Sequence, residues 1–364
     1  MAEVRALVNR ERLLRTLLEL LAIDSPSGEE AEVGRFVANR LRKLGLEPIV
    51  DPIGNVLARC DGDGDPLLLN AHLDNVPPCR GVRIILEDDV LRSDGTTVLG
   101  TDDKAGVASI LEALTILYEN GLHHRPLEIV FTVQEETGLK GAKALDFDWF
   151  RAREGIVVDG GRPITHIVTK APSQDSLNVT IYGRTAHAGV QPEKGINAIR
   201  VAAEAIARMP LGRIDSETTA NVGVIEGGRA RNIVPDRCHF VGEARSHDRR
   251  KLEEQTGLMV AAIKQAVEAH RARVDLQVVR SYEAFSVDPD APILRRILEA
   301  GRDLGLELET VASGGGSDAN IFNHHGITCA IMGSGYEDPH TTSERILVSD
   351  FVKSAEILVR AICA

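Results

Sequence analysis

Four short, nearly uninterrupted apolar runs constrain this chain more than any other feature. They are Leu67-Leu-Leu-Asn-Ala71, Leu127-Glu-Ile-Val-Phe-Thr-Val133, Gly155-Ile-Val-Val158 and Ile327-Thr-Cys-Ala-Ile-Met332. A strand that does not alternate polar with apolar residues is buried on both faces, which requires helices on both sides of a sheet. The expected class is therefore α/β with a mixed or parallel sheet. In open α/β sheets ligands collect beyond the carboxyl ends of the strands. These runs end in His72-Leu-Asp74, in Gln134-Glu135-Glu136, in Asp159 and, after a Gly-rich loop, in His340.

A fifth group comes from the glycine-punctuated turn Asp94 to Gly106, where Asp102 and Asp103 sit at a helix start. Aspartate caps helices well. A carboxylate on such a turn can also lie between two cations, as two-metal hydrolases require. Val107, Ile110, Leu111, Leu114 and Leu117 follow with the spacing of one buried helical face.

Ahead of this turn, residues from Val4 to Leu21 read as an amphipathic helix, with Leu13, Leu14, Leu17, Leu18 and Leu21 on one side. Ser27-Gly-Glu-Glu30 has the form of a capping box opening a second helix that ends near Gly45. Strands are expected over Glu47 to Val50 and Asn55 to Arg59. Asp61-Gly-Asp-Gly-Asp65 lacks the Gly and Glu positions of a calcium loop and reads as a hairpin turn.

The middle of the chain has another rhythm. Strand patterns over Leu177–Tyr182, Thr218–Ile225, Cys238–Ala244 and Val274–Val279 alternate with helical ones over Asn197–Met209 and Leu252–His270. Ile199, Ala203 and Ile206 are expected on the buried face of the first of these helices. The order β-α-β-β-α-β is that of a ferredoxin-like unit. It marks an inserted α+β domain over residues 174–283, expected to serve as a lid or dimerisation domain, within a domain of residues 1–173 and 284–364 expected to be the catalytic one. A chain of 364 residues accommodates two such domains.

A formal charge of −12 disfavours nucleic acid and anionic membrane surfaces, which select basic faces. Cys60, Cys79, Cys238, Cys329 and Cys363 show no Cys-x-x-Cys spacing, which points away from a disulfide framework or thiolate zinc site. Charged residues interrupt the N-terminal leucines, and no apolar run reaches transmembrane length. A cytoplasmic location is expected.

Singly, each polar strand end has an ordinary explanation as a loop hydrogen bonder. As a set, His72, Asp102, Glu136, Asp159 and His340 supply the two imidazoles and three carboxylates of a dinuclear site, whose ions lie about 3.5–4 Å apart. Asp74 stands two residues from His72 and can fix its tautomer. Glu135 has no ligand duty in that inventory, which frees it as a general base. Nitrogen and oxygen donors suit zinc first, then cobalt or manganese. There is no His-Glu-x-x-His, no Gly-x-Ser-x-Gly and no Gly-x-Gly-x-x-Gly after a strand, which removes single-zinc, serine-hydrolase and nicotinamide readings.

His72-Leu-Asp-Asn-Val76, Gly100-Thr-Asp-Asp-Lys-Ala-Gly106, Gln134-Glu-Glu-Thr-Gly138, Val158-Asp-Gly-Gly161 and Pro339-His-Thr-Thr-Ser-Glu-Arg345 resemble, in order, the motif series of the M20 metallopeptidases. Within that family the nearest likeness is to peptidase-T-like tripeptide aminopeptidases. The resemblance implies two divalent ions, with His72 and Asp159 on one, Glu136 and His340 on the other, and Asp102 bridging. It implies Asp74 as orienting acid, Glu135 as base and a cis peptide between Asp102 and Asp103. It further implies that His187, Asn232 and Arg245 of the inserted unit meet a short peptide substrate, with a homodimer as one use of that unit. Ser313-Gly-Gly-Gly-Ser-Asp-Ala-Asn320 resembles a substrate-facing loop, with Asn320 where some relatives carry Arg. His324-His325-Gly326 reads as a helix end with cationic rings at the negative pole of its dipole. The alternatives on the same scaffold are an N-acyl-amino-acid deacylase or a dipeptidase, and, further off, a silent binding homologue.

Overall fold

The computed structural model describes residues 8–363. In chain order the strands are β1 Ile49–Val50, β2 Val56–Cys60, β3 Leu67–His72, β4 Ile84–Glu87, β5 Val90–Ser93, β6 Leu127–Thr132, β7 Glu154–Gly161, β8 His166–Ala171, β9 Ser173–Tyr182, β10 Gly212–Arg213, β11 Thr218–Gly227, β12 Arg237–Ser246, β13 Arg273–Tyr282, β14 Phe285–Ser286, β15 Glu309–Ala312, β16 Thr328–Glu337 and β17 Arg345–Leu347. The α-helices are α1 Arg10–Leu21, α2 Ala31–Lys43, α3 Thr101–Asn120, α4 Lys140–Lys143, α5 Ala198–Arg208, α6 Arg249–Ala269, α7 Pro292–Asp303, α8 Asp318–His324 and α9 Val348–Cys363. The chain divides into two compact units, one of residues up to 170 with 286–313 and 317 onward, the other of 171–285 with 314–316.

The first unit is built on a mixed sheet whose main path runs β1-β2-β6-β3-β7-β16-β17-β5-β4. Its centre is the parallel set β6-β3-β7-β16, the four apolar runs of the sequence. Every residue of β3 and β6 is buried. The carboxyl ends of adjacent parallel strands therefore share one edge. Val4 to Leu7 of the expected first helix lie outside the described residues. From Arg10 that helix buries Leu13, Thr16, Leu17, Leu20 and Leu21.

Helix α3 departs from its sequence pattern. Instead of one apolar stripe, every residue from Thr101 to Leu114 is buried, because the helix lies between the sheet and other helices. Its polar Glu112 is neutralised by Arg12 of α1, with Nε donating at 2.7 Å and Nη2 at 2.8 Å. At Gly106 an added Cβ would lie 2.1 Å from the Val158 carbonyl oxygen of β7, so helix and strand touch backbone to backbone.

Two local expectations fail for topological reasons. Asp61 to Asp65 is not a hairpin turn: β2 and β3 both pair with β6 from opposite sides, so the segment crosses between them. Ser27 does not cap α2, which starts at Ala31 without a side-chain cap. Ser27 and Glu30 instead bond toward the strand ends described below.

The second unit is a five-stranded antiparallel sheet in the order β10-β11-β12-β9-β13. Alternate residues of its strands, among them Leu177, Val179, Ile181, Cys238, Phe240 and Ala244, form the core beneath α5 and α6. The buried face of α5 is Ala198, Val201, Ala202 and Ala205. Ile199, expected inside, is 38% exposed. The helix turns Ala198, Val201, Ala202 and Ala205 to the sheet, with Ile206 packed beside them and Ala203 exposed. No helix among the described residues is long and apolar enough to cross a membrane.

Two glycines in helices give opposite expectations. Gly106→Ala should destabilise by about 1–3 kcal/mol, because overpacking against backbone cannot be relieved by a side-chain rotation. Gly257→Ala in α6, where an added Cβ meets nothing within 4 Å, should stabilise by about 0.4–1 kcal/mol. Thermal or urea unfolding of the two variants checks the pair, and equal effects would contradict this packing.

Candidate metal centre

The site is organised by the entrance to α3. Gly100 adopts φ +88°, and Asp102 and Asp103 depart from helical geometry across a cis peptide. The two aspartates face different partners. Asp103 turns back on the fold, its Oδ1 accepting from the Gly106 amide and its Oδ2 from the His72 amide, both at 3.2 Å. Asp102 faces the strand ends. Asn75 steadies the turn from outside, its Nδ2 donating to the Asp102 carbonyl at 2.7 Å and to that of Gly100 at 3.3 Å.

Asp102 meets one imidazole with each oxygen. Its Oδ1 lies 3.1 Å from His72 Nε2, and its Oδ2 lies 3.3 Å from His340 Nε2. His72 Nε2 is also 3.8 Å from Asp159 Oδ1, and His340 Nε2 is 2.8 Å from Glu136 Oε1. The donor atoms of His72, Asp102 and Asp159 lie close enough together to hold a metal ion, as do those of Asp102, Glu136 and His340. A third grouping joins His72, Glu135 and Glu136. The structure thus brings together all five expected ligand positions, from β3, α3, β7 and the loops after β6 and β16.

Asp74 orients two things. His72 Nδ1 is 3.1 Å from the Asp74 carbonyl oxygen and 3.4 Å from its carboxylate, so the backbone contact is the tighter one. The carboxylate accepts from the Glu135 amide at 2.9 Å, the Glu136 amide at 3.2 Å and Ser27 Oγ at 2.6 Å. The turn carrying both glutamates is thereby tied to the end of β3. Glu30 completes the tie, with its Oε1 accepting from the Gln134 amide at 2.9 Å.

The electrostatics favour cations. Burial opposes charge on His72, yet Asp102, Asp74, Asp159 and Glu135 outweigh it and hold its pKa well above the ordinary histidine value. His340 is raised to about 10 by its bonds to Asp102 and Glu136. Burial also opposes charge on Asp102, but His340 and His72 outweigh it and push this acid below the usual carboxylate range. Glu135 and Asp159 go well above that range through burial and neighbouring carboxylates. Hard oxygen donors in excess, with imidazoles and no thiolate, fit borderline divalent ions.

Sequence reasoning assigned no role to several residues here. Asp318 is 1% exposed, accepts from Thr132 Oγ1 and from Asn70 Nδ2, and has its pKa raised to about 6, mainly by burial. Tyr336 donates to Asp159 Oδ1 at 3.2 Å. Glu344, buried, accepts from the Gly100 and Asp102 amides and from Thr101 Oγ1. Asp318 and Glu344 stand inside motifs already singled out, which was the available signal. Tyr336 had none.

His187, Asn232 and Arg245 belong to the second unit. His187 and Asn232 are exposed on loops joined by the Ala188 amide donating to the Asn232 carbonyl. Arg245 is held by Glu243 through two hydrogen bonds of 3.0 and 3.1 Å. Asn320 is buried, its Oδ1 accepting from the Ser317 amide as half of a capping box that starts α8. Helix α8 ends at His324 as expected, with His325 as its C-cap and Gly326 at φ +83°; His325 stacks on Phe147 with ring centroids 3.7 Å apart, and burial lowers its pKa.

The peptidase family M20/M25/M40 model matches residues 68–364. The YqjE protein of Bacillus subtilis strain 168 is 39% identical over 98% of this chain and 99% of its own. The aminopeptidase PepT of Bacillus cereus ATCC 10987 superposes with a TM-score of 0.85 at 39% identity, covering 98% of this chain and 99% of the other. A tripeptidase of Staphylococcus aureus subsp. aureus Mu50 superposes with a TM-score of 0.90 at 36% identity, covering 98% of each chain. With the candidate ligand positions in one cluster on this sheet edge, the conclusion is that the chain belongs to peptidase family M20/M25/M40 and is a hydrolase.

Proposed function

We propose that the protein is a co-catalytic two-metal exopeptidase of short peptides, an aminopeptidase of the tripeptidase type. The observation that carries this reading is the division of Asp102 between His72 and His340, one oxygen to each ring at 3.1 and 3.3 Å. His72 and Asp159 are assigned to one ion, Glu136 and His340 to the other, and Asp102 to both. When bound, the cations supply Lewis acidity toward the scissile carbonyl and lower the pKa of water. Zinc is the first assignment, with cobalt and manganese next.

Glu135 is assigned as general base rather than ligand, since the two groupings around Asp102 already use every other donor. Its burial raises its proton affinity, which suits a group that takes a proton from the attacking water and returns it to the leaving amine. Asp74, through the Glu135 and Glu136 amides, holds that carboxylate in place. The excess of carboxylates suits a free α-amino group. The aminopeptidase and tripeptidase among the relatives support the peptide-length assignment. The second unit is assigned the role of lid or dimer face, and His187, Asn232 and Arg245 the substrate contacts that family likeness suggests. The five free thiols suit a reducing, cytoplasmic setting.

A free-amino tripeptide should be cleaved and its N-acetylated form left intact, with activity lost to chelator and restored by zinc, cobalt or manganese. Cleavage of the blocked peptide alone would transfer the protein to the deacylases, and inactivity with every metal would sink the reading. Glu135→Ala should retain both equivalents of metal by elemental analysis while turnover falls roughly 10²–10⁴-fold. A variant turning over at the parental rate removes Glu135 from the role.

A further inference from the structure

Glu344 lies outside the ligand set and outside every role assigned above, yet it is 1% exposed and fully engaged. Its Oε2 accepts from the Gly100 amide at 2.8 Å. Its Oε1 accepts from Thr101 Oγ1 at 2.6 Å and from the Asp102 amide at 3.0 Å. These donors are the turn that aims Asp102. Charge-assisted bonds of this kind are the strong ones, and removing a buried acceptor strands its donors.

The same residue ends the loop that presents His340. That loop is wound tightly, with Asp338 at φ +52° and His340 at φ +61°. The Glu344 amide donates to the Thr341 carbonyl at 3.2 Å, and Thr341 Oγ1 donates to the Asp338 carbonyl at 2.8 Å. His340 is half exposed, with 52% of its side chain open to solvent. His72 has different support: it belongs to β3, its amide donates to Asp103, and its ring leans on the Asp74 carbonyl. The His72 side depends on the Glu344 anchor through Asp102 alone, the His340 side through Asp102 and through its own loop.

We propose that Glu344 is a positioning residue that sets the cation position between Asp102, Glu136 and His340, by locking the Asp102 turn to the His340 loop. The inference rests on the two-ion reading and adds an asymmetry to it. Loss of the anchor loosens one ion position far more than the other. Outer partners of this type are worth roughly 10–100-fold in metal affinity.

Glu344→Gln is the informative variant. It keeps size and shape but turns one acceptor into a donor that faces the Gly100 or Asp102 amide. The full chain, stripped of metal, is titrated with zinc against a chelating indicator, and its unfolding midpoint is measured without metal. The expected result is two equivalents in the parent, and in E344Q one equivalent weakened roughly 10–100-fold with the other weakened far less. Thr101→Val, which removes one of the three bonds, should weaken the same equivalent by less. Unaltered affinities in E344Q overturn the inference, as does equal weakening of both equivalents together with a lower metal-free unfolding midpoint, which marks a general role in the fold. A parent that binds fewer than two ions sinks the two-ion reading and this inference with it, whereas failure confined to the variants sinks the inference alone.

Discussion

The rest of the site depends on one side chain facing two ways. Asp102 offers each of its oxygens to a different imidazole, and the spacing of those rings follows from where a single turn places a single carboxylate. A carboxylate at that point is costly to bury unless opposite charge meets it. His72 and His340 meet it here. The surrounding carboxylates exceed them in number, so the cluster as a whole favours cations. Glu135, Asp159 and Asp318 all hold their protons more tightly than exposed acids do.

The sheet makes this crowding tolerable. Parallel neighbours β6, β3 and β7 end together, so their last residues are brought within bonding range without any loop reaching across the molecule. The polar ties then run between strand ends rather than along them. Asp74 at the end of β3 holds the amides of the turn after β6, and Asp318 at the start of α8 is bonded to Thr132 of β6 and Asn70 of β3. Each tie satisfies a buried polar group that would otherwise be left without a partner.

Much of this was legible in the residues. The uninterrupted apolar runs marked the buried parallel strands, and what followed each run marked the site edge. What the linear pattern missed was context. Ser27 and Glu30 have the spacing of a capping box, but their oxygens are used by Asp74 and by the Gly28 and Gln134 amides. Ile199 has a core residue's chemistry, but α5 turns Ala198, Val201, Ala202 and Ala205 to the core and leaves Ile199 outside. Asp61 to Asp65 has turn composition, but strand order forbids a hairpin because β6 intervenes.

The sequence by itself determined the fold class and the identity of the groups at the site, because apolar periodicity and strand termini are local properties. It also carried the pairing of Asp102 with Asp103 without saying which does what. Only the tertiary structure decided that Asp103 caps its own helix while Asp102 faces the rings, and that Glu344, 244 residues beyond Gly100 in the chain, holds them so. Those assignments depend on which backbone amides lie within about 3 Å of which oxygens, a matter of packing between distant segments that no local pattern encodes.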